Sequence, residues 1–348
     1  MMPTKTRLIF LIFYGFVALA ATGLGPRAHA QDFLKDKTLT FIVGYSAGGT
    51  YDQYTRLIAR HITKHVSGNP TRVVENMPGA GGIIAANHLY NRVKPDGFTI
   101  GAWASPLILQ HIMGNEAVQF DGRRFGYLGI PSEYDTVCTF NQQSGITKMD
   151  DWINAKRPQK ISTIGPGTST SDIPKLLKAA LNLPMDVIDG YKGGADARLA
   201  VESGEVDGYC GSWGTLETVW RAAYESKKIV PVLQAAPKSH AKYKHIPLAN
   251  SYAKTEEARE LIKVADDVHG AQFVFSVPPG MAKDRLELLQ RAFVRTFKDP
   301  DLLAEAKRSQ LDVAPVDGPA ITKTLTGLYD LKPATIAKLK EILLPKKR

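Results

Sequence analysis

Residues 42–53 read IVGYSAGGTYDQ, and this stretch decides how the first part of the chain is interpreted. An apolar, strand-like run ends at Gly44, a turn of small residues follows, and a helical pattern begins near Thr50. Gly44 to Gly48 fit the G-x-S-x-G pattern of a nucleophile elbow, with Ser46 as the nucleophile of an exported serine hydrolase. Alternatively, Gly48 and Gly49 leave the N-terminus of the helix open to an anion.

The hydrolase interpretation needs a histidine, an acid and an oxyanion loop from an earlier strand. Ser46 lies about one strand after the predicted start of the mature chain, so no earlier strand supplies that loop. His269 is a possible base, but no supporting motif surrounds it. Gly49 leads into Thr50-x-x-Gln53, which predicts a capping box. These observations favour a binding loop over a catalytic one.

The first thirty residues have the features of a secretory signal peptide. Lys5 and Arg7 precede an apolar stretch at 8–21, and Ala28-His29-Ala30 forms an A-x-A cleavage site. We therefore predict export to the periplasm, with cleavage after Ala30.

The formal net charge is +10, and the basic residues are mixed with acidic ones rather than grouped into a stripe. This distribution suits small anions and gives no indication of a nucleic-acid partner. The C-terminal Lys346-Lys347-Arg348 is interpreted as a solvated tail. Cys138 and Cys210 could form a disulfide in an oxidising compartment, or they could be two buried thiols.

Strand and helix signals alternate along the mature chain, which indicates an α/β fold with mostly parallel sheets. Predicted strands are Thr38–Gly44, Arg72–Glu75, Phe98–Trp103, Ile161–Ile164, Val187–Asp189, Val206–Cys210, Ile229–Leu233 and Gln272–Val277. Predicted helices are Thr50–Val66, Asp284–Phe297, Pro300–Ser309 and Pro333–Leu344.

The length suggests two domains joined by few crossings. We place one crossing near Pro131–Tyr134 and the return between Pro237 and Ala271. The prediction is a signal peptide at 1–30, a discontinuous domain 1 at 31–132 plus 237–348, and domain 2 at 133–236.

Four loops rich in glycine and hydroxyl residues follow predicted strands and precede helices. Backbone N–H groups at a helix start lack partners, and glycine lets a carboxylate approach them closely. Ligands in open α/β sheets bind at such carboxyl strand ends. The loops lie at 46–50, 76–82, 165–172 and 211–215.

Other chemistry-bearing residues have ordinary explanations. His61 and His65 share a helical face, but no third metal ligand is evident, so we expect packing rather than a metal site. Tyr45, Tyr51, Trp103 and Trp213 lie at strand ends, where they either pack or line a pocket. Asp52 falls in a first helical turn, a position that the helix dipole favours. We predict no metal, no cofactor and no catalytic residue.

Five segments resemble the tripartite tricarboxylate transporter receptors, also called Bug or TctC proteins. GYSAGGTYDQYTRLIARHI resembles the P-F-x-P-G-G-x-x-D-x-x-A-R start of that family, and VVENMPGAGGIIAAN resembles V-V-x-N-x-P-G-A-G-G. KPDGFTIG, GYKGGADARLAVESGEVDGYCGS and FVFSVPPGMAKDRLELLQRAF resemble later family motifs. The resemblance runs through essentially the whole mature chain.

The resemblance implies a two-lobed periplasmic binding protein of type II, with a mixed, mostly parallel sheet in each lobe and a venus-flytrap closure. It also implies a small carboxylate ligand and delivery to the membrane subunits of a tripartite transporter, with the receptor expected to be a monomer. The departures are Ala47 in place of the usual proline, Tyr51 in place of a small residue, and a bulky Trp213. These put the ligand's identity in doubt.

The implied ligand contacts come from both domains. In domain 1 they are Tyr45, Ser46, Gly48, Gly49, Thr50, Tyr51, Asp52, Asn76, Gly79, Ala80, Gly81, Gly82 and Trp103. In domain 2 they are Thr168, Ser169, Ser171, Ser212 and Trp213. Besides the hydrolase, a ligand sensor for a signalling partner stays open, because it would share every one of these features.

Overall fold

The computed structural model describes residues 33–344. The predicted signal peptide and the basic tail at 346–348 lie outside the described residues. Eleven strands occur in this range: β1 Thr38–Val43, β2 Thr71–Asn76, β3 Thr99–Ala104, β4 Gly126–Ile130, β5 Thr136–Asn141, β6 Gln159–Thr163, β7 Met185–Asp189, β8 Gly208–Ser212, β9 Ile229–Ala235, β10 Phe273–Val277 and β11 Val316–Asp317.

Helices separate most of the strands. They are Thr50–Ile62, Ile83–Asn91, Pro106–Ile112, Met149–Ile153, Ser169–Leu181, Gly194–Glu202, Trp213–Glu217, Arg221–Glu225, Glu256–Gly270, Lys283–Thr296, Pro300–Arg308, Gly318–Gly327 and Pro333–Leu343. Among residues 33–344, no helix is both long and apolar enough to cross a membrane.

The strands form two mixed sheets, one for each lobe. The six-stranded sheet of the first lobe has the order β11-β4-β10-β3-β1-β2, and the five-stranded sheet of the second lobe has the order β7-β6-β8-β5-β9. In each sheet two pairs are parallel and the other neighbours are antiparallel. The α/β two-lobed class is confirmed, with a larger antiparallel share than the sequence indicated.

The chain passes between the sheets twice, after Ile130 and between Ala235 and Phe273. Both passages coincide with the predicted crossings. The division into domains stays a prediction, and two helices bear on it. Glu256–Gly270 and Pro333–Leu343 both pack against Ser169–Leu181 of the second lobe.

The core of the first lobe explains why the helix after β1 forms. Leu57, Ile58 and Ile62 recur on one face of Thr50–Ile62 and are fully buried beside Phe41 and Phe293. The predicted capping box is wrong, because the N-cap is Gly49 and no side chain caps this helix. The Gln53 amide instead donates to the Gly48 carbonyl at 3.0 Å.

The two cysteines form a disulfide. Cys138 and Cys210 are directly paired residues of β5 and β8, with Cα atoms 4.0 Å apart. Both are buried in the second lobe. A bridge between adjacent strands is typical of proteins that fold in an oxidising compartment.

Candidate functional site

The first glycine loop connects β1 to the helix Thr50–Ile62. Gly44 touches the second loop closely, since an added Cβ there would lie 3.3 Å from the Gly82 Cα. Gly48 has φ +83°, a conformation that favours glycine. Within residues 33–344, the N–H groups of Gly49, Thr50 and Tyr51 donate no hydrogen bond. The loop therefore offers three backbone donors at the positive end of a helix dipole.

Hydrogen bonds to the Asp52 side chain hold this loop in place. Its buried carboxylate accepts hydrogen bonds from the Gly48 N–H at 2.9 Å, the Asn76 amide at 2.9 Å and the Arg56 Nε at 2.9 and 3.0 Å. Burial acts to raise the pKa of the Asp52 carboxyl, but the hydrogen bonds from Arg56, Gly48 and Asn76 outweigh it and lower the pKa. Asp52 is thus an ionised structural anchor whose acceptor sites are occupied.

Asn76 joins the first two loops. Its Nδ2 donates to the Tyr45 carbonyl at 3.0 Å as well as to Asp52, and its Oδ1 accepts from Arg56 at 2.9 Å. Asn76 is the last residue of β2. The two parallel strand ends are therefore held together by one polar network.

The second loop turns sharply before the helix Ile83–Asn91. Gly79, Ala80, Gly81 and Gly82 have φ values of 140°, 46°, 65° and 97°. Ala80 is a non-glycine residue in the left-handed region, a conformation that costs free energy and clusters at functional sites. Gly82 is the N-cap, and no side chain caps this helix either.

A stacked tyrosine pair lies between the two loops. The rings of Tyr45 and Tyr51 have centroids 4.0 Å apart, and the Tyr45 hydroxyl donates to the Gly81 carbonyl at 3.0 Å. The Tyr51 hydroxyl donates to the Gln272 carbonyl at 2.9 Å. Burial raises the pKa of Tyr45 to about 12, so the phenol stays neutral and can donate. Tyr45 thus occupies part of the space between the glycine loops.

The third loop carries two predicted hydroxyls that are already engaged. Thr168 Oγ1 donates to the Gly165 carbonyl at 2.6 Å, and Ser171 Oγ donates to Asp189 Oδ1 at 2.7 Å. Lys175 Nζ lies 2.7 Å from Ser171 Oγ and 2.8 Å from Asp189 Oδ2. Ser171 is fully buried. Its predicted ligand contact stays a prediction, and its observed partners lie within the second lobe.

The fourth loop begins the short helix Trp213–Glu217. Ser212 caps this helix by accepting from the Thr215 N–H at 3.1 Å. The Trp213 ring is buried and stacks on Tyr243, with centroids 4.3 Å apart, and on His240 at 4.9 Å. This packing accounts for its bulk.

Trp103 lies in the core rather than at the loops. Its side chain is 1% exposed, packs against Phe120 and Phe125, and donates from Nε1 to Ser276 Oγ at 2.8 Å. The structure does not bring Trp103 together with the other predicted site residues.

Tyr134 lies beside the candidate site, although the sequence analysis does not include it among the site residues. Its N–H bonds the Gly270 carbonyl at 3.0 Å, so it lies where both crossings meet. Burial raises the pKa of the Tyr134 phenol, while the neighbouring hydroxyls of Ser169 and Ser212 act to lower it. The same phenol acts to raise the pKa of Tyr51. Tyr134 is therefore a neighbour of Tyr51, Ser169 and Ser212, which belong to the first, third and fourth loops. Its position in the predicted crossing is the sequence signal for this placement.

The residues of the hydrolase and metal interpretations have surroundings that do not support either chemistry. His269 is fully buried, neither ring nitrogen makes a hydrogen bond within the described chain, and Nε2 is 3.9 Å from Asp172 Oδ2. Ser46 is exposed on the first loop. His61 Nε2 lies 2.8 Å from Glu305 Oε2, so this histidine is held by an acid. Residues 33–344 contain no cluster suited to a metal ion.

Comparison with protein families identifies the family of this chain. The tripartite tricarboxylate transporter family receptor matches residues 55–247, more than half of the chain. The chain belongs to this family. A UPF0065 protein from the gbd 5' region of Cupriavidus necator is 27% identical over 195 residues, which cover 54% of this chain. The match spans 58% of that relative's length.

Solved structures share the fold. A ligand-free TctC solute-binding protein from Polaromonas has a TM-score of 0.70 at 18% identity, covering 88% of this chain and 97% of that one. A protein of R. palustris solved with adipate has a TM-score of 0.63 at 16% identity, covering 88% and 98%. The two-lobed α/β architecture of periplasmic binding proteins is therefore confirmed for this receptor.

Proposed function

We propose that this TctC-family protein is a periplasmic receptor that captures a small carboxylate between its two lobes and delivers it to the membrane subunits of a transporter. The first and second glycine loops hold the carboxylate. Ser169, Ser212 and Tyr134 approach from the side of the second lobe. In this proposal the protein has no catalytic cycle, and its task is binding and closure.

One observation carries the proposal. The Asp52–Arg56–Asn76 network braces the first loop by hydrogen bonds, and the N–H groups of Gly49, Thr50 and Tyr51 have no acceptor among residues 33–344. Rigid, unpaired donors at a helix start suit an anion, because they lose little freedom when it binds. Hydrogen bonds to a charged group contribute about 1.5–3 kcal/mol each, so three donors supply about 4.5–9 kcal/mol towards offsetting the cost of association.

Adipate, the ligand of the R. palustris protein, is the first probe to test. A thermal-shift screen of mono-, di- and tricarboxylates and aromatic acids would extend it, because a ligand that binds the folded state raises the midpoint of unfolding. The carboxylate that gives the largest shift is then titrated by calorimetry.

Gly49→Val tests the backbone donors directly. Gly49 has φ −76°, and the nearest atom to an added Cβ is the Ser46 carbonyl oxygen at 3.6 Å, so the chain should still fold. The valine side chain should block the anion and weaken binding by at least about 2 kcal/mol, or about 30-fold. Gly81 is a poorer choice, since its φ of 65° would add backbone strain.

Ser46→Ala is the matched control on the same loop. It removes at most one hydroxyl contact and should weaken the binding free energy of the carboxylate by about 1.5 kcal/mol or less. The reverse order, with Ser46 essential and Gly49 dispensable, would contradict the proposal. Esterase activity that disappears in Ser46→Ala would instead support the hydrolase. A sensor would bind the same ligand without supporting uptake.

A further inference from the structure

A cavity of about 380 Å³ lies between the two lobes, away from the first two glycine loops. The helix Pro106–Ile112 forms one wall, the third loop another, and the end of the helix Pro333–Leu343 closes it. The third loop is the part of the candidate site that also lines this cavity. Its volume falls within the range of small-molecule pockets.

The walls of the cavity are mostly apolar. Leu109, Met113 and Leu343 supply side chains, with prolines at 106 and 166 beside them. The described residues that line it include no lysine, arginine or histidine. A ligand here would therefore bury an apolar part. The positive group recorded beside these lining residues is Lys340, whose Nζ lies 3.8 Å from the position of an added Cβ on Gly114.

Among the described residues that line the cavity, Asp172 is the one acid, and no lysine or arginine of residues 33–344 lies within ion-pair distance of it. Its side chain is 7% exposed, and Oδ1 accepts from the Gly167 N–H at 2.9 Å. The nearest basic atom to Oδ2 is His269 Nε2 at 3.9 Å, beyond hydrogen-bond distance. Burial lowers the pKa of His269 to about 3, so this ring is neutral and does not compensate the carboxylate.

Lys175, three residues after Asp172 on the same helix, pairs with another acid. Lys175 Nζ lies 2.8 Å from Asp189 Oδ2 and 2.7 Å from Ser171 Oγ. Burial raises the pKa of the Asp172 carboxyl to about 7, with the Gly167 N–H and Lys175 opposing that shift and Asp189 adding to it. A buried carboxylate without a counter-ion is costly, and a bound cation would relieve that cost.

A pair of amides completes the polar side of the cavity. Asn115 Nδ2 donates to Gln110 Oε1 at 2.9 Å, and Asn115 Oδ1 accepts from the Ala117 N–H at 3.0 Å. Within the described chain, Gln110 Nε2 donates no hydrogen bond, and it lies 3.2 Å from the position of an added Cβ on Gly167. The Gln110 amide group thus lies beside Gly167, the residue whose N–H binds the acid.

We propose that this cavity is a second binding site that takes a small organic cation, a primary ammonium group on a short apolar chain. Asp172 Oδ2 pairs with the ammonium group. Leu109, Met113 and Leu343 cover the apolar chain. This site is separate from the carboxylate cradle and does not depend on the function proposed above.

The test uses the full chain and n-butylamine hydrochloride, with n-butanol as the uncharged probe of similar shape. Calorimetry or ligand-detected NMR at pH 8 should show millimolar binding of the amine and at least about tenfold weaker binding of the alcohol. Asp172→Asn should weaken amine binding by at least about tenfold, the effect expected for a charge-assisted hydrogen bond. Asp196→Asn is the matched control, because Asp196 also lies in a first helical turn but is exposed.

A second measurement needs no variant. Amine binding should tighten by about tenfold between pH 6 and pH 8 as Asp172 ionises, because the ammonium stays charged throughout. Equal binding of amine and alcohol, equal binding by wild type and Asp172→Asn, or affinity independent of pH would overturn the proposal.

Discussion

The first and third glycine loops share one local structure and differ in the charge that it holds. Gly48 and Gly167 both have φ +83°, and each donates its N–H at 2.9 Å to an aspartate in the first turn of the next helix. The two aspartates, Asp52 and Asp172, are similarly buried. Yet the pKa of Asp52 is lowered, while burial raises that of Asp172 to about 7.

The difference comes from the deeper position of Asp172 and from the side-chain partners, since the loop itself is the same in both lobes. Arg56 lies one helical turn after Asp52 and pairs with it, and Asn76 adds a bond from the neighbouring strand. Lys175 lies three residues after Asp172, but Asp189 holds its ammonium group. The same backbone hydrogen bond therefore gives a charge-paired anchor in one lobe and an acid without a cation in the other.

Asparagine at the two positions should separate the loops most strongly. Asp52→Asn should lower the free energy of unfolding by about 2–3 kcal/mol at pH 7.5. It removes the negative charge that pairs with Arg56 and accepts the hydrogen bond of the Gly48 N–H. Asp172→Asn should change it by less than about 1 kcal/mol, since it also removes a buried, unpaired charge. Urea unfolding of both variants, with Asp196→Asn as the exposed reference, gives the comparison. Equal losses at 52 and 172 would show that the partners do not matter.

The pH dependence of stability should also distinguish the loops. The folded pKa of Asp172 lies near 7, above its unfolded value of about 4. The folded state therefore binds the proton more tightly. The stability from this group is complete below pH 4 and is lost as the pH rises through 7.

Asp172→Asn should flatten the decline in stability between pH 5 and pH 7 by up to about 1.4 kcal/mol per pH unit relative to wild type. Asp266, with its pKa raised by burial to about 7, and Asp135, raised to about 6, contribute the same sign in both proteins and cancel in the difference. Unfolding free energies at several pH values measure it. Parallel curves for wild type and variant would refute a raised pKa at Asp172.

Sequence patterns were sufficient to predict the helices and turns around the first loop. The apolar spacing of Leu57, Ile58 and Ile62 predicted the helix, and the glycine pairs predicted both domain 1 turns. The strand Gly126–Ile130 was not predicted, because two glycines interrupt its short apolar run and Gly129 has φ 138°. It is held by its neighbours β10 and β11 rather than by its own propensity.

The parts of the candidate site that consist of backbone turns could be predicted from the sequence. The side-chain contacts between distant segments could not. The sequence placed Asp52 in a first helical turn, but it did not show that Arg56 and Asn76 would converge on it. Trp213 could equally have lined a pocket, and only its stacking on Tyr243 settles its position in the packing. Tyr134 has no motif of its own, since its role arises from the meeting of two chain crossings.

The smallest expected effect on stability concerns a hydrogen bond to a neighbouring loop, which the first loop makes through Tyr45. The Tyr45 hydroxyl donates to Gly81 in the second loop, whereas Thr168 Oγ1 donates only to Gly165 in its own loop. Tyr45→Phe removes one neutral hydrogen bond and should cost about 1 kcal/mol of stability, with the ring stack on Tyr51 kept. The loss should appear as faster hydrogen exchange at the Gly82 amide, whose bond to the Gly79 carbonyl is 2.9 Å long, because the second loop opens more often.

Thr168→Val is the matched control and should leave exchange at Gly82 unchanged. Unaltered exchange at Gly82 in Tyr45→Phe would mean that the Asn76 network alone holds the two loops together.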